Sequence, residues 1–307
     1  MNKDIYFTKE WAQLFAQMEN GCPENFTFSC GDGRVSYSFI RKKKALRIDN
    51  QDYYDIISPG GFGGPYIMSD SHNLRNLAAG FDKAFDEYCQ NEHIVTEYVR
   101  FSPITGNASD FKNCYDLIEY EDIYYKDLTS DDILTREMPP KMRSDIKKAQ
   151  ECGMTVSFDF TGDTIQEFIS IYHKSGNKNN LSFDASFIEE GFRRLRGRIF
   201  IINAIYENEI IASGIFLQYS GVIHCHYITK KKIGLNLNSS SMIIYSAALW
   251  GKRHSKKCLD IGRLSRKTAS ELSLSKKDLL TVYAAKKIRM PEIYKIYSEA
   301  SIKIEQA

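Results

Sequence analysis

The stretch from residue 199 to residue 229 constrains the fold most, because it holds three consecutive strand-like runs joined by tight turns. The runs cover 199–206, 210–219 and 222–229, with Glu207-Asn208-Glu209 and Ser220-Gly221 as the turns. Short polar turns of this kind join antiparallel neighbours. An apolar stripe at helical spacing follows over 241–253. We therefore expect an antiparallel sheet flanked by helices in this half of the 307-residue chain.

The first half repeats a similar order of elements. A helix that Thr8 can cap precedes a hairpin turning at Gly31-Asp32-Gly33, and a helical stripe over 74–88 precedes a strand over 94–101. Adjacent prolines at 139–140 mark a boundary, since two prolines cannot continue a helix. We predict two related α+β (α/β) domains, each with a mixed, largely antiparallel sheet: 1–138, with 291–307 packing back on it, and 139–290. The last helix of the second domain is expected over about 276–288.

Composition excludes several classes of function. Lys+Arg (41) and Asp+Glu (39) nearly cancel, giving a formal charge of +2, so binding of DNA through bulk charge is disfavoured. The seven cysteines are scattered and never form a Cys-x-x-Cys pair, which fits a reducing cytoplasm rather than a disulfide framework or a zinc ribbon. The N-terminal segment lacks the apolar core of a signal peptide, and no window reaches the ~18 apolar residues of a membrane span. We expect a cytoplasmic protein without a transmembrane segment.

A glycine loop with the sequence Pro59-Gly-Gly-Phe-Gly-Gly-Pro65, followed by Tyr66, ends the strand before it. Glycines allow positive φ and expose bare amides, and the prolines fix φ at both ends, so the loop suits close approach to a ligand. The alternative is a tight turn in which the glycines serve geometry alone. The loop matches neither a P-loop nor a dinucleotide-binding fingerprint.

A second polar loop follows the third strand and runs from Lys230-Lys231-Lys232 to Ser239-Ser240-Ser241. At the start of a helix it offers unpaired amides and a positive dipole end to a phosphate; alternatively, it only caps the helix. Just before it, His224 and His226 lie two apart on the strand and are expected on one face. Two imidazoles suit metal binding, a general base or packing, and no third ligand stands at a recognisable spacing.

Four segments together resemble the FemAB-like group of the GNAT acyltransferase superfamily, which has two GNAT-type domains in tandem. The likeness covers about 50–290. The matching segments are Tyr54-Asp55 with the glycine loop; Arg100-Phe101-Ser102-Pro103 with Asn107; Arg143-x-x-Ile146-x-Lys148-Ala149 with Gly153; and Leu259-Asp260-Ile261-Gly262, with Lys286 in the segment after it.

The resemblance implies an N-acyltransferase that moves an acyl group to an amino group of a cell-envelope sugar or nucleotide-sugar precursor. The donor, acyl-CoA and most simply acetyl-CoA, is then held in the second domain and the acceptor near the first; no metal is implied. Residues assigned to donor binding are Gly234, Asn236, Asn238, Ser239 and Ser240. Residues assigned to the acceptor are Gly63, Gly64, Tyr66, Arg100, Arg143 and Lys178. Residues assigned to catalysis are Asp55, His226 and Tyr227.

Three positions depart from the family pattern. Lys178 stands where an arginine is usual, Arg263 replaces the second glycine of the closing motif, and Ser102 stands where bridge-forming members tend to have an acidic residue. The helical arm of several tRNA-using members is absent, which favours a CoA thioester donor. Two alternatives remain: an aminoacyl-tRNA-dependent transferase of the same fold, and an inactive GNAT-like module that binds a nucleotide sugar.

Overall fold

The computed structural model describes residues 4–68, 73–129, 138–175, 185–272 and 274–305. None of the helices within these ranges is long and apolar enough to cross a bilayer.

Among the described residues, runs of one to four strands are separated by helices along the chain. The strands are β1 Cys22–Cys30, β2 Gly33–Lys43, β3 Tyr54–Ile57, β4 Tyr66–Ile67, β5 Ile94–Arg100, β6 Ile118–Asp127, β7 Thr155–Asp159, β8 Ile199–Tyr206, β9 Glu209–Tyr219, β10 Val222–Lys230, β11 Cys258–Gly262 and β12 Leu279–Ile288. The helices are α1 Lys9–Met18, α2 Leu74–Asn91, α3 Asn107–Asp110, α4 Pro140–Glu151, α5 Ile165–Lys174, α6 Ala185–Arg194, α7 Lys232–Asn236, α8 Ser239–Arg253, α9 Arg266–Glu271 and α10 Pro291–Glu305.

The chain divides into two compact units. Unit 1 comprises Met1–Glu121 and Thr281–Ala307, and unit 2 comprises Asp122–Leu280. The divisions fall within β6 and within β12, so the diproline at 139–140, where α4 begins, lies inside unit 2.

The sheet of unit 1 has the strand order β1-β2-β3-β5-β12, with β4 also paired to β2. Only β3 and β5 are parallel, and α2 connects them along the chain. Helix α2 begins at Asn73, whose side chain accepts a hydrogen bond from the Asn76 amide at 3.1 Å. Its apolar stripe, with Phe81 and Phe85 fully buried, packs on Tyr37 and Val99 of the sheet. The core of unit 1 therefore lies between α2 and the sheet.

Unit 2 has the strand order β6-β11-β10-β9-β8-β7. Again one pair is parallel, β10 with β11, and α8 connects its strands. Ile243 and Ala247 of α8 are fully buried against Phe200, Phe216 and Ile223 of the sheet. Each unit thus contains a mixed, largely antiparallel sheet built around one strand–helix–strand crossover, which confirms the predicted fold class.

Periodicity located most of the elements. Thr8 caps α1 by accepting from the Trp11 amide at 3.3 Å, and β1 and β2 form the expected hairpin. The helix expected over 276–288 is wrong, because this segment is β12 preceded by one 3₁₀ turn. Ser275 and Asp278 form a capping box that closes only this single turn. Beyond it, antiparallel pairing with β5 from Ala284 to Ile288 satisfies the backbone as a strand.

Candidate active site

A cleft of about 980 Å³ opens in unit 2 at the carboxyl ends of β10 and β11. Its walls come from the end of α5, the second half of β10, the start of α7 and α8, and the segment after β11. Ligands of open α/β sheets bind at such an end, where parallel strands diverge.

A β-bulge in β10 aims side chains into this cleft. The pairing with β9 shifts register between Cys225 and Tyr227, so His226 is the extra residue. Because the bulge breaks the alternation of faces, Cys225, His226 and Tyr227 all line the cleft, a departure from the simple alternation assumed from the sequence. Desolvation, followed by the charge of His224, lowers the pKa of His226 to about 4. The imidazole is therefore neutral at physiological pH and able to accept a proton.

His224 and Asp260 form a buried pair beneath the bulge. His224 Nδ1 lies 2.7 Å from Asp260 Oδ2, and both side chains are almost fully buried. The other carboxylate oxygen of Asp260 accepts from the Gly262 amide at 2.7 Å. Asp260 therefore ties the end of β11 to β10 and fixes the ring of His224.

The pairing of β10 with its two neighbours differs in length. Among the described residues, β10 pairs with β11 over Val222–His224, whereas its pairing with β9 continues to Lys230. The part of β10 beyond His224 lines the cleft.

The start of α8 forms the far end of the cleft. Its first residue follows Asn238, which has φ 57° and makes no side-chain cap, and the first turn of a helix has amides without intrahelical acceptors. Ser240 lines the cleft, whereas Ser239 is fully buried and donates to the Gly234 carbonyl at 2.8 Å. A Cβ on Gly234 would approach the Ile211 carbonyl oxygen to 2.7 Å. Ser239 and Gly234 therefore fix the shape of this segment. The groups that it exposes to the cleft are the amides of the first turn of α8 and the side chain of Ser240.

Cations dominate the charge of the cleft. Within the described residues, its lining contains five basic side chains and no carboxylate. The five are Lys174, Lys230, Lys231, Lys232 and Arg263. Glu209, outside the lining, pairs with Lys231 at 3.1 Å. The other four cations make the cleft basic in a chain with nearly equal numbers of acidic and basic residues, which indicates an anionic ligand.

Thr229 has a buried hydroxyl without a hydrogen-bond partner among the described residues. The residue is 2% exposed and lines the cleft. Burying a hydroxyl without a partner costs about 1–3 kcal/mol, so such a group points to a bound molecule that completes it.

The neighbouring thiol and phenol are both protonated at neutral pH. Burial raises the pKa of Cys225, so the thiol is not a ready nucleophile. Burial, with a smaller contribution from Tyr172, raises the pKa of Tyr227, which keeps its hydroxyl protonated and able to donate a hydrogen bond.

The structure brings together His226, Tyr227 and Ser240 in the cleft, with Gly234, Asn236, Asn238 and Ser239 in the loop beside it. Asp55 lies in unit 1, where it forms an ion pair with Lys44 at 2.7 Å and accepts from the Thr96 hydroxyl.

The glycine loop is packed against its own unit. A Cβ on Gly60 would meet the Phe15 ring at 2.2 Å, and one on Gly61, at φ 88°, would meet the Tyr6 ring at 2.5 Å. The Trp11 indole donates to the Gly60 carbonyl at 2.7 Å. Intrachain packing thus accounts for these glycines and favours the tight-turn alternative.

The remaining acceptor candidates are dispersed. The Gly63 amide donates to the Arg100 carbonyl at 2.7 Å. Gly64 has φ 90°, and a Cβ on it would meet the Val99 side chain. Tyr66 is buried and packs on Phe7.

Arg100 lies over the Tyr120 ring at 5.1 Å. In unit 2, Arg143 donates to the Met138 carbonyl at 3.1 Å. Lys178 lies outside the described residues. The roles of these side chains stay predictions.

Sequence reasoning did not single out Thr229 or Lys174. A threonine in a strand is ordinary, and nothing in its sequence context reports that its hydroxyl lacks a partner. The sequence shows the run of lysines at 230–232, but only the fold brings these lysines and Arg263 into one cleft. Within the described ranges, no group of three His, Cys, Asp or Glu side chains is placed to hold a metal ion.

Comparisons with solved structures identify the fold. FemX aligns with a TM-score of 0.68 and 12% identity over 96% of this chain and 94% of that chain. L-PGS from Bacillus licheniformis aligns with a TM-score of 0.54 and 13% identity over 98% of each chain. A conserved protein of unknown function from Bacteroides thetaiotaomicron aligns with a TM-score of 0.55 and 12% identity over 93% and 92%.

No protein-family model matches the sequence, and neither does any curated protein sequence. The chain therefore has a FemAB-like, GNAT-type fold, established by structure at low identity.

Proposed function

We propose that the protein is an N-acyltransferase that transfers an acyl group from acyl-CoA to an amino group of a cell-envelope sugar or nucleotide-sugar precursor. The fold is of a type found in FemX and L-PGS, which favours a transferase. The donor is proposed to occupy the cleft of unit 2.

The observation that carries the proposal is the charge of this cleft. Five cations without a carboxylate among the described lining residues match a ligand with several phosphates. Lys230, Lys231 and Lys232 stand beside the start of α8, where amides and the helix dipole add to their field. The diphosphate of the donor is proposed to bind here.

The part of β10 that lines the cleft suits the remainder of such a donor. A pantetheine arm is extended, and it is proposed to lie along β10 beyond His224. The thioester then comes close to the bulge at His226. Distance along the strand supports this placement, since Lys230 lies four residues beyond His226, or roughly 13 Å at 3.3 Å per residue.

The chemistry follows from the two side chains at the bulge. The neutral amine attacks the thioester carbonyl, a C–N bond forms, and the tetrahedral intermediate passes its surplus proton to His226. The C–S bond then breaks, and the protonated His226, the stronger acid of the two side chains, passes the proton to the departing thiolate while Tyr227 donates a hydrogen bond.

Donor binding is tested by thermal shift and calorimetry with CoA. CoA at 100 times its Kd should raise the free energy of unfolding by about 2.7 kcal/mol. Lys232→Gln should weaken CoA binding about fivefold, because it removes one phosphate contact of about 1 kcal/mol. Lys147→Gln is the matched control, since Lys147 pairs only with Glu151 at 3.7 Å on an exposed helix face; its CoA affinity should equal that of the wild type.

The two alternatives are separate outcomes of this experiment. Protection by charged tRNA but not by CoA would replace the donor and keep the fold and the cleft. Binding of a nucleotide sugar without any acyl transfer from CoA or tRNA would instead indicate a binding module.

A second test uses Thr229→Val, which removes the hydroxyl and preserves the shape. The unliganded variant should be more stable than the wild type by about 1 kcal/mol, because an unpaired buried hydroxyl disappears. CoA should bind more weakly, because the hydroxyl no longer completes a hydrogen bond with it. Urea unfolding and calorimetry measure the two effects.

Thr96→Val is the matched control for stability, since the buried Thr96 hydroxyl donates to Asp55. It should lower the free energy of unfolding. A loss of stability in Thr229→Val with unchanged CoA affinity would contradict the role given to Thr229.

A further inference from the structure

Arg263 adds a cation to the cleft where the family pattern has glycine. β11 ends at Gly262, which has φ 81° and whose amide is held by Asp260 at 2.7 Å. This bend brings the following residue, the exposed Arg263, to the cleft wall. The positive charge of Arg263 therefore distinguishes this chain from the family pattern.

The strand register places Arg263 near the bulge and away from the lysine run. In the parallel pair, His224 is level with Asp260. Beyond this pair both strands are irregular, but a Cβ on Gly262 would lie 3.6 Å from the Cys225 carbonyl oxygen, so Arg263 follows a residue that lies beside the bulge. Lys230 lies three residues beyond Tyr227, or about 10 Å at 3.3 Å per residue.

Lys174 belongs to the same part of the cleft. It is the last residue of α5, and α5 packs against both β9 and β10. Tyr172, two residues earlier, is close enough to Tyr227 to raise the pKa of that phenol. The basic residues thus form two groups: Lys230, Lys231 and Lys232 at the start of α8, and Arg263 with Lys174 near the bulge.

The donor, placed as above, offers no anion to the second group. A donor whose diphosphate lies at the lysine run presents an uncharged thioester at the bulge. A cation at that level therefore faces the acceptor. Guanidinium groups bind carboxylate and phosphate in bidentate fashion, with defined orientation.

We propose that Arg263, assisted by Lys174, binds an anionic group that the acceptor carries close to the amine to be acylated. The acceptor is then an acidic amino sugar or an amino acid derivative, with a carboxylate or phosphate near the amine. This inference rests on the proposed function. Pairing with Arg263 also neutralises the anion, which would otherwise raise the pKa of the amine and keep it protonated.

The experiment compares amines of one scaffold: glucosamine, glucosamine 6-phosphate and muramic acid. With saturating acetyl-CoA, the two anionic amines should be acetylated with a kcat/KM at least tenfold above that of glucosamine. They should also give the larger thermal shift on the CoA complex. Arg263→Gln should remove this preference through acceptor KM, and Arg263→Lys should retain part of it.

Arg193→Gln is the matched control, because Arg193 lies on α6 with a 66% exposed side chain paired to Glu190. It should keep the preference. Equal or absent use and binding of anionic and neutral amines overturns the inference, as does an Arg263→Gln variant that raises donor KM with the acceptor preference intact. Failure of wild-type protein to bind CoA would instead overturn the proposed function, so the two failures are distinguishable.

Discussion

Replacement of Arg289 by methionine is expected to lower the free energy of unfolding by about 3–5 kcal/mol, because it leaves a buried carboxylate without its cation. Arg289 is 2% exposed and Glu97 fully buried. The guanidinium donates to Glu97 Oε2 at 2.6 and 2.9 Å and to Asp82 at 3.1 Å. Tyr115 donates to the other oxygen of Glu97 at 2.8 Å.

The effect is large because the intact pair and a single buried charge differ in free energy. A buried pair with several hydrogen bonds nearly balances its desolvation, whereas one member left alone bears the full cost. Glu97→Gln added to Arg289→Met should therefore recover most of the lost stability. Urea unfolding of the single and double variants measures the stability that is lost and the stability that is recovered.

An exposed ion pair provides the comparison. Arg193→Met removes a pair on the surface of α6, and we expect a much smaller loss than for Arg289→Met, because solvent screens exposed charges. If Arg289→Met cost no more than Arg193→Met, the large stabilising role assigned to the buried Arg289–Glu97 pair would be wrong. If the single variant does not fold, the double variant still tests the prediction through its recovery.

Replacement of His226 by glutamine is expected to lower kcat by about 10²–10⁴-fold, the usual contribution of a general base. The half-buried ring sits on the bulge, and its neutral form accepts the proton of the attacking amine. Donor affinity should change little, since the phosphates are proposed to bind at the lysine run. Steady-state kinetics with acetyl-CoA separates these effects.

The pH profile gives a second readout. His226 acts unprotonated, so its contribution is present above its pKa and lost as pH falls through about 4. The acid limb of kcat/KM assigned to His226 should therefore lie near 4, below the ordinary value of about 6.5. A further limb from ionisation of the acceptor amine should persist in His226→Gln, whereas the limb near 4 should vanish.

His254→Gln is the matched histidine control. His254 is exposed at the end of α8, where Nδ1 lies 2.8 Å from the Trp250 carbonyl. It should retain wild-type kcat. Unchanged activity in His226→Gln would assign proton removal to another group.

Sequence periodicity predicted the elements whose signals are local. Helix α2 and the β1–β2 hairpin bury apolar faces at the expected spacing, and Thr8 stands where an N-cap is required. The helix expected over 276–288 ends after the one 3₁₀ turn that Ser275 and Asp278 close, and β12 follows. Its pairing with β5, nearly 190 residues earlier, is not local.

The candidate site was predictable only in part, for the same reason. The bulge at His226 is a mismatch of register between two strands, and strand periodicity cannot locate it. The hydroxyl of Thr229 and the grouping of Lys174 with Arg263 depend on segments far apart in the chain. The glycine loop gave a clear signal of close approach, but the approaching groups are Phe15 and Tyr6 of the same chain.

Hydrogen–deuterium exchange with and without CoA tests most directly whether the cleft of unit 2 is the donor site. If it is, CoA should slow exchange in β10 beyond His224 and in the first turn of α8. The glycine loop of unit 1 should not change. Protection confined to unit 1, or no protection at CoA concentrations that support acyl transfer, would contradict the placement of the donor in the cleft of unit 2.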